Sequence, residues 1–288
     1  VTELEQAYAE CRRVAHRSGP NFSVGFRFLP RAKRDAVYAT YAFCRFIDDA
    51  VDENRSGDVR ERLDRWEDEL ECCYSGAPTH PIAIALADSA ERYPIPKSAF
   101  AGLIEGCRMD LVKNRYADFA ELMVYSDLVA TTISTMSLAI FGYRAEEAVA
   151  RGRDLATAFQ LTNILRDVGD DIDKDRIYLP ADEMARFGVS EEDLRQKRVT
   201  PGFQELMKFQ VERVRAHYRD ADPLLDLIDP DARRCTCLMG SVYYRVLGRI
   251  ETSGYHVFGR RIGLSAFEKI SLVARTYLEK APRWVNIT

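Results

Sequence analysis

Nothing in this sequence alternates apolar and polar residues between hairpin turns, so a β-sheet protein is not expected. It has no internal repeat and no low-complexity linker, which argues against solenoid arrays and tethered modules. No G-x-G-x-x-G turn follows a strand, so a dinucleotide-binding fold has no motif to support it. The seven cysteines, Cys11, Cys44, Cys72, Cys73, Cys107, Cys235 and Cys237, form no paired CxxC set. Neither Cys72-Cys73 nor Cys235-Thr236-Cys237 has a second ligand cluster, so free thiols in a reducing cytoplasm are expected rather than zinc. The longest mildly apolar stretch, Leu128 to Tyr143, is broken by Thr131, Thr132, Ser134, Thr135 and Ser137, and reads as too short to span a bilayer. No charged-then-apolar leader opens the chain, and residues 281–288 carry no membrane anchor. A net charge of −4 gives no electrostatic reason for a nucleic-acid partner. A cytoplasmic protein is expected. Peripheral contact with a membrane stays open, and no obligate protein partner is evident.

What is present is helix. With 47% hydrophobic and 30% charged residues, the 288-residue chain has ample material for one large core. Apolar residues recur at helical spacing in Leu4, Ala7, Tyr8, Cys11 and Val14, in Val37, Tyr41, Cys44, Ile47 and Val51, and in Leu63, Trp66, Leu70 and Cys73. Ser18-Gly19-Pro20, Gly76-Ala77-Pro78 and Asp229-Pro230 punctuate the pattern. Further helices are predicted over 80–93, 97–114, 118–141, 145–173, 201–227, 232–252 and 265–278, with an irregular stretch at 174–180. The predicted architecture is a single all-α domain over 1–288, a helical bundle around a central apolar cavity.

Two acidic clusters ride on these helices. One is Arg45-Phe46-Ile47-Asp48-Asp49-Ala50-Val51-Asp52-Glu53. The other is Gln160-Leu161-Thr162-Asn163-Ile164-Leu165-Arg166-Asp167-Val168-Gly169-Asp170-Asp171. Asp48 with Asp52, and Asp167 with Asp171, stand four apart and share a helix face. Like charges so placed repel unless a cation relieves them. Mg²⁺ takes hard oxygen ligands and combines one or two carboxylates with phosphates, which suits Asp48, Asp49 and Asp52 facing Asp167, Asp170 and Asp171. Asn163 and Gln160 fall on the same face as Asp167. Arg45 and Arg166 adjoin the acids and can fork onto phosphate oxygens, and Arg176 and Tyr178 follow in the irregular stretch. One such cluster alone usually reads as a solvated acidic face. For the two together, structural Arg–Asp pairing is the alternative.

The sequence resembles the squalene/phytoene synthase family. The likeness rests on Asn21-Phe22 through Leu29-Pro30, Tyr41 through Asp52, Tyr125 to Ser134, and Gln160 through Pro180. The run Gln-Leu-Thr-Asn-Ile-Leu-Arg-Asp-Val-Gly-Asp-Asp, closing on Arg-Ile-Tyr-Leu-Pro, is its most specific part. The resemblance implies an isoprenoid synthase fold that joins two prenyl diphosphates head to head, with two or three Mg²⁺ ions. It implies metal ligation by Asp48, Asp52, Asn163, Asp167 and Asp171, supported by Asp49 and Asp170. Diphosphate contacts would come from Arg45, Gln160, Arg166, Arg176 and Tyr178. Tyr41, Tyr125 and Tyr243 would lie near the reacting carbons, with ordinary core packing as the alternative. Asp110 would be a polar wall group, or a cap or salt-bridge partner.

Some positions depart from the family pattern. Ser18-Gly19-Pro20-Asn21-Phe22 replaces a Ser- and His-bearing stretch, so Asn21 is the phosphate contact expected there. Thr131 and Ser134 stand where the family has glycines. Phe22 and Phe26 share a face if helical. If Phe26 points into the cavity, its bulk favours C15 donors, so a C30 product from two farnesyl diphosphates is expected, with phytoene from two C20 donors as the alternative. Reduction by NADPH is an open option. A class I terpene cyclase would need an Asn-Asp-x-x-Ser-x-x-x-Glu motif, which is absent. A non-catalytic assembly factor would tend to lose the acids and arginines that are all present here.

Overall fold

The computed structural model describes residues 2–18, 24–52, 59–259, 261–279 and 282–287, with backbone alone at 18, 50–52 and 286–287. The described residues form helices and only isolated bridges, Arg115 with Ile177 and Tyr143 with Ile228. The elements are α1 (Glu3–Ser18), α2 (Arg31–Asp52), α3 (Val59–Ser75), α4 (Pro81–Arg92), α5 (Lys97–Met109) and α6 (Phe119–Ser126). A π turn at Asp127–Thr131 joins α6 to α7 (Thr132–Phe141). Then come α8 (Glu147–Asp173), α9 (Ala181–Arg186), α10 (Glu191–Arg195), α11 (Pro201–Ala221), α12 (Leu224–Leu227), α13 (Pro230–Thr252), α14 (Ala266–Leu278) and α15 (Trp284–Ile287).

The 27-residue α8 is the central post, packed by α7, α11 and α13. Its buried positions go nearly all the way round, from Ala148 and Gly152 through Leu161 and Leu165 to Ile172, as a helix enclosed by others requires. α2 stands across the cavity from it and packs on α1, α4 and α5.

Two predicted helices end early. The helix expected to reach 114 stops at Met109. There Asp110 caps it, and the chain turns toward the Arg115–Ile177 bridge. The helix expected over 201–227 breaks at Asp222-Pro223, because proline supplies no backbone N–H to continue it.

The stretch Phe119–Phe141 is continuous and long and apolar enough to cross a membrane by length and composition. In this fold it packs on α5 and α8. Its hydroxyls are turned back onto the helix: Thr132, Thr135 and Ser137 each donate to the carbonyl four residues earlier. Close approach is made by glycines on the facing helices. A Cβ on Gly106 would lie 2.6 Å from Val129, and one on Gly152 would lie 2.6 Å from Ser134. The side chain at Ser134 is thus accommodated by a glycine across the interface. All seven cysteines are free thiols.

Candidate active site

A cavity of about 640 Å³ lies between α2 and α8, within the usual range for a small-ligand site. Val37, Thr40, Tyr41, Cys44, Arg45 and Asp48 line it from α2. Gly152, Leu155, Ala156, Phe159, Gln160, Asn163 and Arg166 line it from α8. Steps of three and four place each set on one face of its helix. At 1.5 Å per residue the two sets run for ~16 and ~21 Å. Their polar members gather at one end, where Arg45 and Asp48 meet Asn163 and Arg166. The other end is apolar, with Val37, Leu155, Ile140, Phe141, Leu224 and Ile228 in the wall. Lys33 anchors that far end, donating to the Phe141 carbonyl and to Asp231, each at 2.7 Å.

The polar end is strongly structured. Arg45 donates to Asp49, while its Nε is buried with no partner. Arg166 donates Nε to Asp167 Oδ1 at 2.8 Å. Arg261 donates to both oxygens of Asp167, at 3.0 and 2.9 Å. Burial opposes ionisation of Asp167, but the two arginines outweigh it and hold the carboxyl below its usual range. Asp171 is the opposite case. Burial, then the Asp167 charge, push its pKa up to about 7, despite Lys174 and Arg176. The Asn163 Oδ1 is buried without a hydrogen-bond partner.

Below these groups lie aromatic rings. Tyr243 stacks on Phe159 with centroids 4.4 Å apart. Burial raises its pKa, moderated by Arg166 and a hydrogen bond from Asn163. Burial pushes Tyr41 up to about 12. Both hydroxyls therefore stay protonated, as donors. Phe26 lines the same wall, set edge-on to Tyr38 and Tyr41.

Tyr125 and Tyr178 do not line this cavity. Their hydroxyls donate to the two oxygens of Asp110, at 2.8 and 3.0 Å, and their rings stack at 5.3 Å. Desolvation raises both pKa values, reinforced by the Asp110 charge. Cys107, one turn before Asp110, donates its S–H to Asp48 at 3.7 Å, so this cluster adjoins the polar end. Asp171, Arg176 and Tyr178 line a separate small crevice with Ile164 and Leu194.

The structure thus brings Phe26, Tyr41, Arg45, Asp48, Gln160, Asn163, Arg166 and Tyr243 into one wall, with Asp49 and Asp167 held by its arginines. Asp170 is exposed. Asn21, Phe22 and the Asp52 side chain lie outside the described residues. Sequence reasoning missed Arg261 and Lys269, which also line the cavity. Their one signal is basic charge in and just after the irregular residues 261–264.

Among the described residues no three acidic, histidine or cysteine side chains converge into a metal cluster. The donors nevertheless fit Mg²⁺. Asp48 offers a hard oxygen in the wall and Asn163 an unpartnered one, and Asp171, in the separate crevice, is a buried carboxyl whose ionised form a cation would favour.

The family model described as squalene/phytoene synthase matches residues 15–268. A phytoene synthase of Arthrospira platensis is 38% identical over 282 residues, covering 92% of this chain and 90% of that protein. A 15-cis-phytoene synthase of Synechococcus elongatus is 35% identical over 287 residues, covering 94% and 92%. Among solved structures, a ligand-bound dehydrosqualene synthase superposes with a TM-score of 0.89 at 28% identity, covering 96% of each chain. A squalene synthase, HpnC, from Alicyclobacillus acidocaldarius superposes with a TM-score of 0.83 at 31% identity, covering 88% of this chain and 96% of the other.

Proposed function

The chain belongs to the squalene/phytoene synthase family of head-to-head prenyltransferases, and from that premise we propose that it joins two geranylgeranyl diphosphates to give phytoene. The observation that carries a diphosphate-and-hydrocarbon substrate is the two-ended cavity. Arginines, amides and acids cap a long apolar slot. The C20 donor is supported by the phytoene synthases, similar along nearly their whole length at 38% and 35% identity. This departs from the C30 product expected from the sequence alone. That C30 reading keeps one specific support, since Phe26 does stand in the cavity wall.

Asp48, Asn163 and Asp171 would hold Mg²⁺, joined by Asp52 and Asp167 of the same motifs. When bound, the metal acts as a Lewis acid on the departing diphosphate. The remaining roles belong to the chain. Arg45, Gln160, Arg166 and Arg261 face the diphosphates, and their fixed N–H groups need little reorganisation as charge develops. The C1–O bond of one donor breaks, leaving an allylic cation and pyrophosphate. The 2,3 double bond of the second donor attacks that cation. Loss of a proton closes a cyclopropylcarbinyl diphosphate. Departure of its pyrophosphate, rearrangement and loss of a second proton give the 1-1′ linked triene, with no reductant consumed. Tyr41, Tyr243 and Phe159 supply ring faces to the cations, and the apolar walls keep water from capturing them.

The test is incubation with C15 or C20 allylic diphosphates and Mg²⁺, with and without NADPH, followed by mass analysis of the hydrocarbons. A C40 hydrocarbon with a central conjugated triene, formed from the C20 donor independently of NADPH, is the expected product. Turnover of the C15 donor alone would move the assignment to the C30 branch.

A further inference from the structure

No residue of α5 lines the cavity, yet one of its side chains reaches the carboxylate that does. Cys107 donates its S–H to Asp48 Oδ1 across 3.7 Å, a contact length suited to the larger sulfur atom. The thiol is 5% exposed, and burial together with the Asp48 charge keeps it protonated, as a donor. Its backbone is held on both sides. Gly106 lets α5 press on the π turn, since a Cβ there would lie 2.6 Å from Val129 and 3.1 Å from Leu128. One turn further on, Asp110 takes the hydroxyls of Tyr125 and Tyr178.

Sulfur at this position has a physical reason. Buried hydroxyls on the helices of this chain turn back on their own backbone: Ser89, Thr162, Ser241 and Thr276 each donate to the carbonyl four residues earlier. A serine at 107 would meet the Leu103 carbonyl in the same way. A thiol is the weaker donor, and its longer C–S bond carries the proton further from the helix, so it reaches across to α2 instead.

We propose that Cys107 is a positioning residue, whose S–H holds the Asp48 carboxylate in the orientation that receives Mg²⁺. The proposal rests on the reading of Asp48 as a metal ligand. Ligating carboxylates are themselves hydrogen-bonded, and loss of that partner weakens metal binding. A contact to one oxygen restricts rotation of the carboxyl group about its Cβ–Cγ bond. A thiol suits the task because a weak donor orients the group while withdrawing little of the negative charge that draws the cation. An arginine in its place would compete with the cation.

The test uses the full chain and two readouts. Infrared spectra of the native protein minus those of Cys107→Ala isolate the Cys107 S–H stretch. That band is expected at lower frequency than the same difference band in an Asp48→Asn background, where the acceptor is neutral. Equal frequencies in the two backgrounds overturn the proposal. The second readout is affinity for Mn²⁺, standing in for Mg²⁺, by electron paramagnetic resonance of the free ion with inorganic pyrophosphate present. Cys107→Ala and Cys107→Ser should each weaken it about tenfold or more. Cys73→Ala removes another buried thiol, one that donates to the Ala83 carbonyl, and should leave the affinity within about twofold, which excludes a general effect of thinning the core. Native affinity in both Cys107 variants overturns the proposal, as does an equal loss in Cys73→Ala. A native chain that binds no Mn²⁺ removes the metal reading, and this proposal with it, even where the infrared band shifts as expected.

Discussion

Arg261 and Asp167, 94 residues apart in sequence, meet through two parallel N–H···O contacts of 3.0 and 2.9 Å at the polar end of the cavity. Arg166 reaches the same carboxylate from the neighbouring position. Two guanidinium groups are thereby aimed at the place where the diphosphates are proposed to lie.

Arg261→Lys keeps the charge but loses the fork that holds Asp167. A charge-assisted hydrogen bond contributes about 1.5–3 kcal/mol, so kcat/KM should fall ~10- to 100-fold for either donor. Steady-state kinetics on pyrophosphate release checks this. A change under twofold would remove Arg261 from the site.

Asp48→Ala takes away the one carboxylate that lines the cavity among the described side chains of α2. Mg²⁺-dependent pyrophosphate release should drop about 100-fold or more, while far-ultraviolet circular dichroism and Tm stay close to native. Retained turnover would contradict the ligand assignment.

Asp171 predicts a pH signature of the metal-free protein. Its carboxyl rises from the ordinary 3.8 to about 7 on folding. The folded chain therefore binds more protons than the unfolded chain between those values, and stability declines as pH rises through that window. Thermal melts in EDTA should show Tm falling over this range. Asp171→Asn should flatten the decline and raise Tm at the alkaline end. Parallel profiles for variant and native chain would assign the pH dependence elsewhere.

Phe26 tests donor length. It is 4% exposed and packs on Tyr41, one turn from Arg45, whereas the far end is walled by Phe141 and Val37. On the C20 reading Phe26→Ala leaves the preference for geranylgeranyl diphosphate over farnesyl diphosphate within about twofold, because the depth of the slot is set elsewhere. A swing toward the longer donor in competition assays would show that Phe26 limits length, which supports the C30 reading.

The polar end was legible in the sequence because its chemistry is periodic. Asp48, Asn163 and Arg166 stand at helical offsets from other hard-oxygen or cationic groups, and apolar residues fix which face they share. The far end was not legible. Phe141, Leu224 and Ile228 are apolar whether they face a cavity or a neighbouring helix, and periodicity does not separate the two. Arg261 escaped notice because it belongs to no periodic element. Asp110 and Tyr125 were singled out only through family likeness, and fifteen residues of spacing gave no hint that Tyr178 would share the same carboxylate.

Val37 and Asp48 are carried by one uninterrupted helix, with ~16 Å between the floor and the cap of the slot. The helix is in effect a graduated rod. Moving the bulky stop three or four residues along this face shifts the floor by ~4.5–6 Å, and not by an arbitrary amount. Acceptable hydrocarbon length should therefore change in steps along this helix, while the ionising chemistry at its opposite end is left untouched.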